Sequence, residues 1–282
     1  MNTKNNTLGV DDLTQPGLAN EAHVESLPLR PTSAEETGLS SLYLADLLSK
    51  ILLEQGVLDL HQLSRRSALA GSVVEAICHL LRREGRAEVR GQGENGVLRY
   101  GLTELGRAAA MEALARDGYA GPAPVPLEAY TARVRAQALS DAGISRERVI
   151  SAFADTVIEP ALLDQLGPGL HSGRAMFIHG EPGTGKSYIA RRLVRLLPGE
   201  VLIPHAILAG GKAVRCFDPA VHSPLAPPDE PPNAVSSLLL AQGHDPRFVR
   251  CRRPCVVAGG ELTMERLEIQ YDVATHIHQA PI

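Results

Sequence analysis

The chain contains no tryptophan, and phenylalanine and tyrosine bring its aromatic content to only 4%. Its cores must therefore be assembled mostly from Leu, Val, Ile and Ala, within a hydrophobic content of 44% that is ordinary for a globular protein. Cysteine is scarce as well: four in 282 residues do not make a disulfide framework. The two signs of charge nearly balance, leaving a formal net charge of −4, so no global field points to nucleic acid or to an anionic membrane. No run approaches the ~18 apolar residues needed to cross a bilayer. The polar start Met1-Asn2-Thr3-Lys4-Asn5-Asn6-Thr7 lacks the apolar centre of a signal peptide. These absences lead to the expectation of a soluble cytoplasmic protein with no membrane partner, long enough for two domains.

What the chain does contain is Gly180-Glu181-Pro182-Gly183-Thr184-Gly185-Lys186-Ser187, which fits the phosphate-binding pattern G-x-x-x-x-G-K-[ST]. The apolar run Ala175-Met176-Phe177-Ile178-His179 precedes it and predicts a buried strand. After it, Ile189, Leu193, Leu196 and Leu197 recur at helical spacing. The chemistry follows from the residue types. Gly180, Gly183 and Gly185 let the backbone turn tightly and present N–H groups to phosphate oxygens. The helix beginning near Lys186 adds the positive end of its dipole. Lys186 is expected to reach the β- and γ-phosphates, and the Ser187 hydroxyl to ligate Mg²⁺. Glu181, Pro182 and Thr184 complete the loop, with Pro182 and Thr184 shaping it. The only Asn after the loop is Asn233, followed by Ala234, so a guanine-reading Asn-Lys-x-Asp segment is absent and ATP is the expected ligand.

The rest of the chain divides by composition. Residues 1–38 read as a flexible N-terminal arm, with one turn at Ser33-Ala34-Glu35-Glu36 that matches a capping box. Residues 39–118 read as three helices and a hairpin. The first carries Leu42, Leu44, Leu47, Leu48, Ile51 and Leu52 and stops at Gly56; a short second covers Leu58 to Leu63. The third runs from Ser72 to Leu81, with Ser72 as its N-cap and Gly85 just past its end. Strands at Ala87–Arg90 and Val97–Tyr100 flank a Gly- and Asn-rich turn, and Thr103 caps a closing helix. This order is that of a winged helix-turn-helix. Arg82, Arg83, Arg86, Arg90 and Arg99 gather where phosphate contacts to DNA would fall, but Glu75, Glu84, Glu88 and Glu94 nearly neutralise them. Docking to a protein partner is therefore favoured over binding DNA. Residues 119–126, Tyr119-Ala120-Gly121-Pro122-Ala123-Pro124-Val125-Pro126, read as a stiff Pro-rich linker. Residues 127–282 read as the nucleotide-binding domain.

On the loop, on Leu166-Gly167-Pro168-Gly169 and Ser172-Gly173-Arg174 before it, and on Ile203-Pro204-His205 and Phe217-Asp218-Pro219-Ala220-Val221-His222 after it, the region from Leu127 onward resembles a bacterial AAA+-type ATPase. The resemblance implies an α/β P-loop NTPase core, a parallel sheet with flanking helices, preceded by the small winged-helix domain. It also implies ATP and Mg²⁺ as ligands, hydrolysis of ATP to ADP and phosphate coupled to remodelling of a protein partner, and a homo-oligomeric ring. Residues 149–158 occupy the place of an adenine pocket in that family. The family's second motif, an apolar strand ending in an acidic pair, is not found. In Val256-Val257-Ala258-Gly259-Gly260-Glu261 the acid follows two glycines, Val214-Arg215-Cys216-Phe217-Asp218 carries an arginine, and Ser236 to Ala241 ends without an acid. Catalytic residues are thus unassigned, and with only about a hundred residues after the loop, short for a whole core, a truncated C-terminus is expected.

Two smaller signals complete the sequence. Arg247, Arg250, Arg252 and Arg253 form a cluster of the kind that stabilises phosphoryl charge. Cys251 and Cys255 with His276 and His278 fit zinc spacing only loosely. Two other function classes fit parts of the pattern: a nucleotide-responsive DNA-binding regulator, and a P-loop phosphotransferase acting on a small molecule.

Overall fold

Helix α1 (Ser41–Gln55) buries Leu44, Leu47, Leu48, Ile51 and Leu52, a stripe at helical spacing. The Ser40 hydroxyl accepts from the Tyr43 N–H at its start, and Gly56, at φ 83°, closes its end by donating to Leu52 O. The computed structural model describes residues 27–93, 96–138, 144–172, 176–197, 199–225, 243–254, 256 and 263–281. After α1 come β1 (Leu58–Asp59), α2 (Leu60–Ser67), α3 (Gly71–Arg83), β2 (Ala87–Gln92), β3 (Leu98–Leu102) and α4 (Glu104–Arg116). Asp59 and Gln62 form a reciprocal capping box on α2. Thr103 caps α4 by accepting from Gly106 N, while its own hydroxyl donates to Gly85 O. β3 lies between β1 and β2 in an antiparallel three-stranded sheet.

Next in the chain are β4 (Val125–Pro126), α5 (Leu127–Ala136), α6 (Arg146–Ala152), α7 (Pro160–His171) and α8 (Lys186–Arg195). They are followed by β5 (Glu200–Pro204), β6 (Ala206–Ala209), β7 (Lys212–Arg215), β8 (Phe248–Arg252), β9 (Gln270–Asp272) and β10 (Ile277–Gln279). The protein is thus α/β, with eight helices among the described residues. Its larger sheet runs β4-β6-β7-β10-β9 and is mixed: β4 is parallel to β6 and β10 to β7, while β6–β7 and β9–β10 are antiparallel. β5 pairs with β8. No described helix is long and apolar enough to cross a membrane.

The chain forms two compact units, one of Ser26–Ala136 with Val201–Ile282, the other containing Gln137–Glu200. The first has a core in which Leu44, Leu47, Val74 and Leu81 share one cluster with Tyr119, Ala123, Ala206 and Ala213. The second is helical, built on Val149, Phe153, Leu166, Ile189, Leu193 and Leu196.

Four expectations change here. The sheet is mixed rather than parallel, because β6 and β7 turn back through Gly210 and Gly211, both at positive φ. Residues 27–38 are built into the first unit: Arg30 donates to Leu69 O at 3.0 Å, Asp245 N to Pro28 O at 2.7 Å, and Thr37 is 1% exposed. Hydrogen bonds rather than an apolar stripe hold this segment, so it has no periodicity to read. The rest of the arm lies outside the described residues. Residues 119–126 pack instead of spacing. Tyr119, Ala123 and Val125 are buried, Ala123 N donates to Ser67 O, and Val125-Pro126 forms the edge strand β4. Extended Pro-rich backbone suits a sheet edge as well as a linker. Finally, Ala70 and not Ser72 sits at the N-cap of α3, without a side-chain bond, and the Ser72 hydroxyl donates to Thr32 O at 2.7 Å.

Candidate functional site

The glycine-rich loop joins residues 176–180 to α8 in the helical unit. Gly180, Gly183 and Gly185 have φ of 152°, 82° and 80°, a region L side chains rarely adopt. Gly185 is the N-cap of α8, and its carbonyl accepts from Ile189 N at 2.9 Å. Ile189, Leu193 and Leu196 anchor that helix in the core of the unit, while Glu181 to Gly185 and Ser187 stay exposed. The apolar face of α8 thus fixes the helix and leaves its N-terminus open to solvent.

The Lys186 ammonium folds back over the loop. It donates to Gly180 O at 3.0 Å, Glu181 O at 2.6 Å and Thr184 Oγ1 at 3.4 Å. The Thr184 hydroxyl donates to Glu181 O at 2.8 Å, so Thr184 ties the loop together. Two backbone carbonyls and a hydroxyl hold the one cation, while a Cβ at Gly183 or Gly185 would meet nothing within 4 Å. Such a loop can accept an anion whose charge replaces the carbonyl dipoles around Lys186.

A second layer lies beside it. The Arg192 guanidinium forms a bidentate pair with Asp155, with Nη2 to Oδ2 at 2.6 Å, and donates to Ala152 O. The hydrogen bond to Arg192 holds the Asp155 carboxyl below its ordinary range. Arg192 also lies 4.9 Å above the Tyr188 ring, and Tyr188 Oη is 3.2 Å from Thr156 Oγ1. The segment after α6 is therefore tied to the exposed side of α8. Tyr188 and Arg192, four apart on a helix, were readable as neighbours; Asp155 and Thr156 carried no local signal. Val149 of the expected adenine region is buried, whereas Val157 is fully exposed.

The strand expected before the loop is not formed. Residues 176–179 pair with no strand among the described residues, Phe177 is 89% exposed, and only Ile178 packs toward the core of the unit. A strand needs a neighbour for its N–H and C=O groups, and the described residues of this unit contribute none. Arg247 is also reassigned. It is 5% exposed, paired with Asp245 through Nε and Nη2, and donates to Thr37 O at 2.9 Å. It is thus a buried structural group, unable to act as a finger. Asp218 accepts from Ala220 N and shapes a turn. Val257 to Glu261 and Ser236 to Ala241 lie outside the described residues, as does Cys255. Cys251 is buried, with its thiol pushed up to about 11 by desolvation. No cluster of three or more metal-ligating side chains occurs among the described residues. Comparisons with protein-family models, curated proteins and solved structures return no match.

Proposed function

We propose that this protein binds ATP with Mg²⁺ at Gly180–Ser187 and couples binding and hydrolysis to remodelling of a protein partner, as an AAA+-like module. The single observation that carries this proposal is the Lys186 clasp, a lysine in the first turn of α8 that donates to the carbonyls of Gly180 and Glu181 in a loop with glycines at positive φ. ATP would supply the phosphoanhydride. Lys186 would exchange carbonyl oxygens for phosphate oxygens, the loop amides would orient the phosphates, and Ser187 would offer its hydroxyl to Mg²⁺. Binding is better supported than turnover, because the described residues offer no acid placed to orient water.

The first unit's helices and hairpin, in this proposal, form a winged-helix docking arm rather than a DNA reader. Arg86, counted among the wing arginines, is 9% exposed and bound to Asp46 at 2.8 Å. Near the start of α3 the Ser72 hydroxyl is held by Thr32 O. Assembly into a homo-oligomeric ring belongs to the same proposal.

The test is a titration of Mg·ATP by calorimetry. Wild-type protein should bind, Lys186→Ala at least about tenfold more weakly, the scale of one charge-assisted contact, and Ser187→Ala should lose Mg²⁺ dependence. Equal affinities for wild type and Lys186→Ala would remove the proposal.

A further inference from the structure

The outward face of α3 changes sign along its length. Near its start lies the exposed Glu75, and Glu36 accepts from Thr32 N, whose carbonyl takes the Ser72 hydroxyl; at its end lie the exposed His79, Arg82 and Arg83, followed by the C-cap Glu84. Beside that end, β2 contributes Ala87, Glu88 and Val89, and together these residues line an open groove of about 340 Å³. Its one carboxylate is already neutralised, since Arg90 Nη2 lies 2.6 Å from Glu88 Oε1. Arg82 and Arg83 therefore dominate the groove, over a floor that includes the buried Ala87 and half-buried Val89.

We propose that this groove binds an acidic segment of a partner protein, a carboxylate pairing with Arg82 and Arg83 beside an apolar side chain on Ala87 and Val89. Arginine forks suit bidentate recognition of carboxylates. The proposal rests on the docking-arm reading and gives it a partner chemistry. A DNA duplex fits less well. A helix lying in a major groove presents its N-terminal residues to the bases. Here that end carries Glu75 and is covered by Thr32, whose carbonyl takes the Ser72 hydroxyl. Phosphates would meet Glu75 at that end, which reduces the gain from counterion release.

The test uses the full chain without nucleotide and a fluorescein-labelled peptide of repeating Glu-Leu-Asp, read by anisotropy. Binding should exceed that of the Gln-Leu-Asn peptide and of a mixed-sequence duplex by about tenfold each. Arg82→Glu/Arg83→Glu should abolish it, and the milder Arg82→Gln/Arg83→Gln should weaken it about tenfold. Arg65→Glu/Arg66→Glu, at the exposed arginine pair ending α2, should change it less than about twofold. Equal losses from both arginine pairs, no preference for the acidic peptide, or tighter binding of the duplex would overturn the proposal. Lys186→Ala should leave peptide binding unchanged, so failure of the nucleotide proposal and failure of this one give different results.

Discussion

The unit formed by residues 26–136 and 201–282 and the helical unit of residues 137–200 are held together by different means. The first buries a continuous cluster from Leu39 to Ala213 and places ion pairs inside it: Arg247–Asp245 at 2.8 Å, Arg86–Asp46 at 2.8 Å and Lys50–Asp117 at 3.7 Å. The second has seven buried residues in its core among the described residues, and its pairs Arg146–Asp164 and Arg192–Asp155 keep at least one partner in solvent. The phosphate-loop motif lies in this second unit. Under the nucleotide proposal Lys186 would leave its carbonyls as the ligand enters, and binding loops that rearrange are drawn from the low-stability end of a protein.

The largest test of that contrast is Asp245→Ala, which leaves the Arg247 guanidinium buried without its carboxylate. It should cost about 3–5 kcal/mol, seen as a lower denaturation midpoint of the main transition. A change below about 1 kcal/mol would mean the pair contributes no more than a surface bridge. Next is Phe153→Ala, at the largest fully buried side chain among the described residues. It should cost about 3 kcal/mol, felt in the helical unit as faster amide exchange over residues 146–195 and weaker nucleotide binding. If exchange instead rises evenly over the whole chain, the two units are one cooperative body. The smallest effect is protonic. Burial holds the His205 imidazole below its ordinary value of 6.5. The unfolded chain then takes up the proton first, so this contribution is complete above about pH 6.5 and declines as pH falls through the folded value. Thermal melts should show the first unit losing stability from pH 7.5 to 5.5, by an amount that His205→Gln reduces.

Much of the first unit was legible in the sequence. The leucine stripe of α1, the Thr103 cap and the paired strands of the hairpin are local signals, and each element lies within a few residues of where the pattern puts it. The glycine turn at Gly180–Ser187 and the helix after it were legible for the same reason, since Gly180, Gly183 and Gly185 take the positive φ that glycine tolerates. What escaped detection depends on distance along the chain. β1 exists only because Leu58 and Asp59 meet Tyr100 and Arg99, and β4 because Val125 meets Ile207. Residues 27–38 are fixed by Leu69, Asp245 and Arg247, none of which announces itself at residue 30. The run at 176–179 failed in the opposite sense: it has the apolar composition of a strand and no neighbour to pair with among the described residues.

The bond from Arg247 to Thr37 closes a span of 210 positions, and this sets a clock on folding. At ~5–20 residues per second of synthesis, the guanidinium follows its acceptor by roughly 10–40 s. Helices α1 to α4 can collapse early on local contacts, but Asp245, Arg247 and the strands β5 to β10 are made only after the whole helical unit. The segment carrying the phosphate-loop motif therefore leaves the ribosome while the larger unit on either side of it is still open, with β4 the first of its five-stranded sheet to be made and waiting for β6 to pair with it.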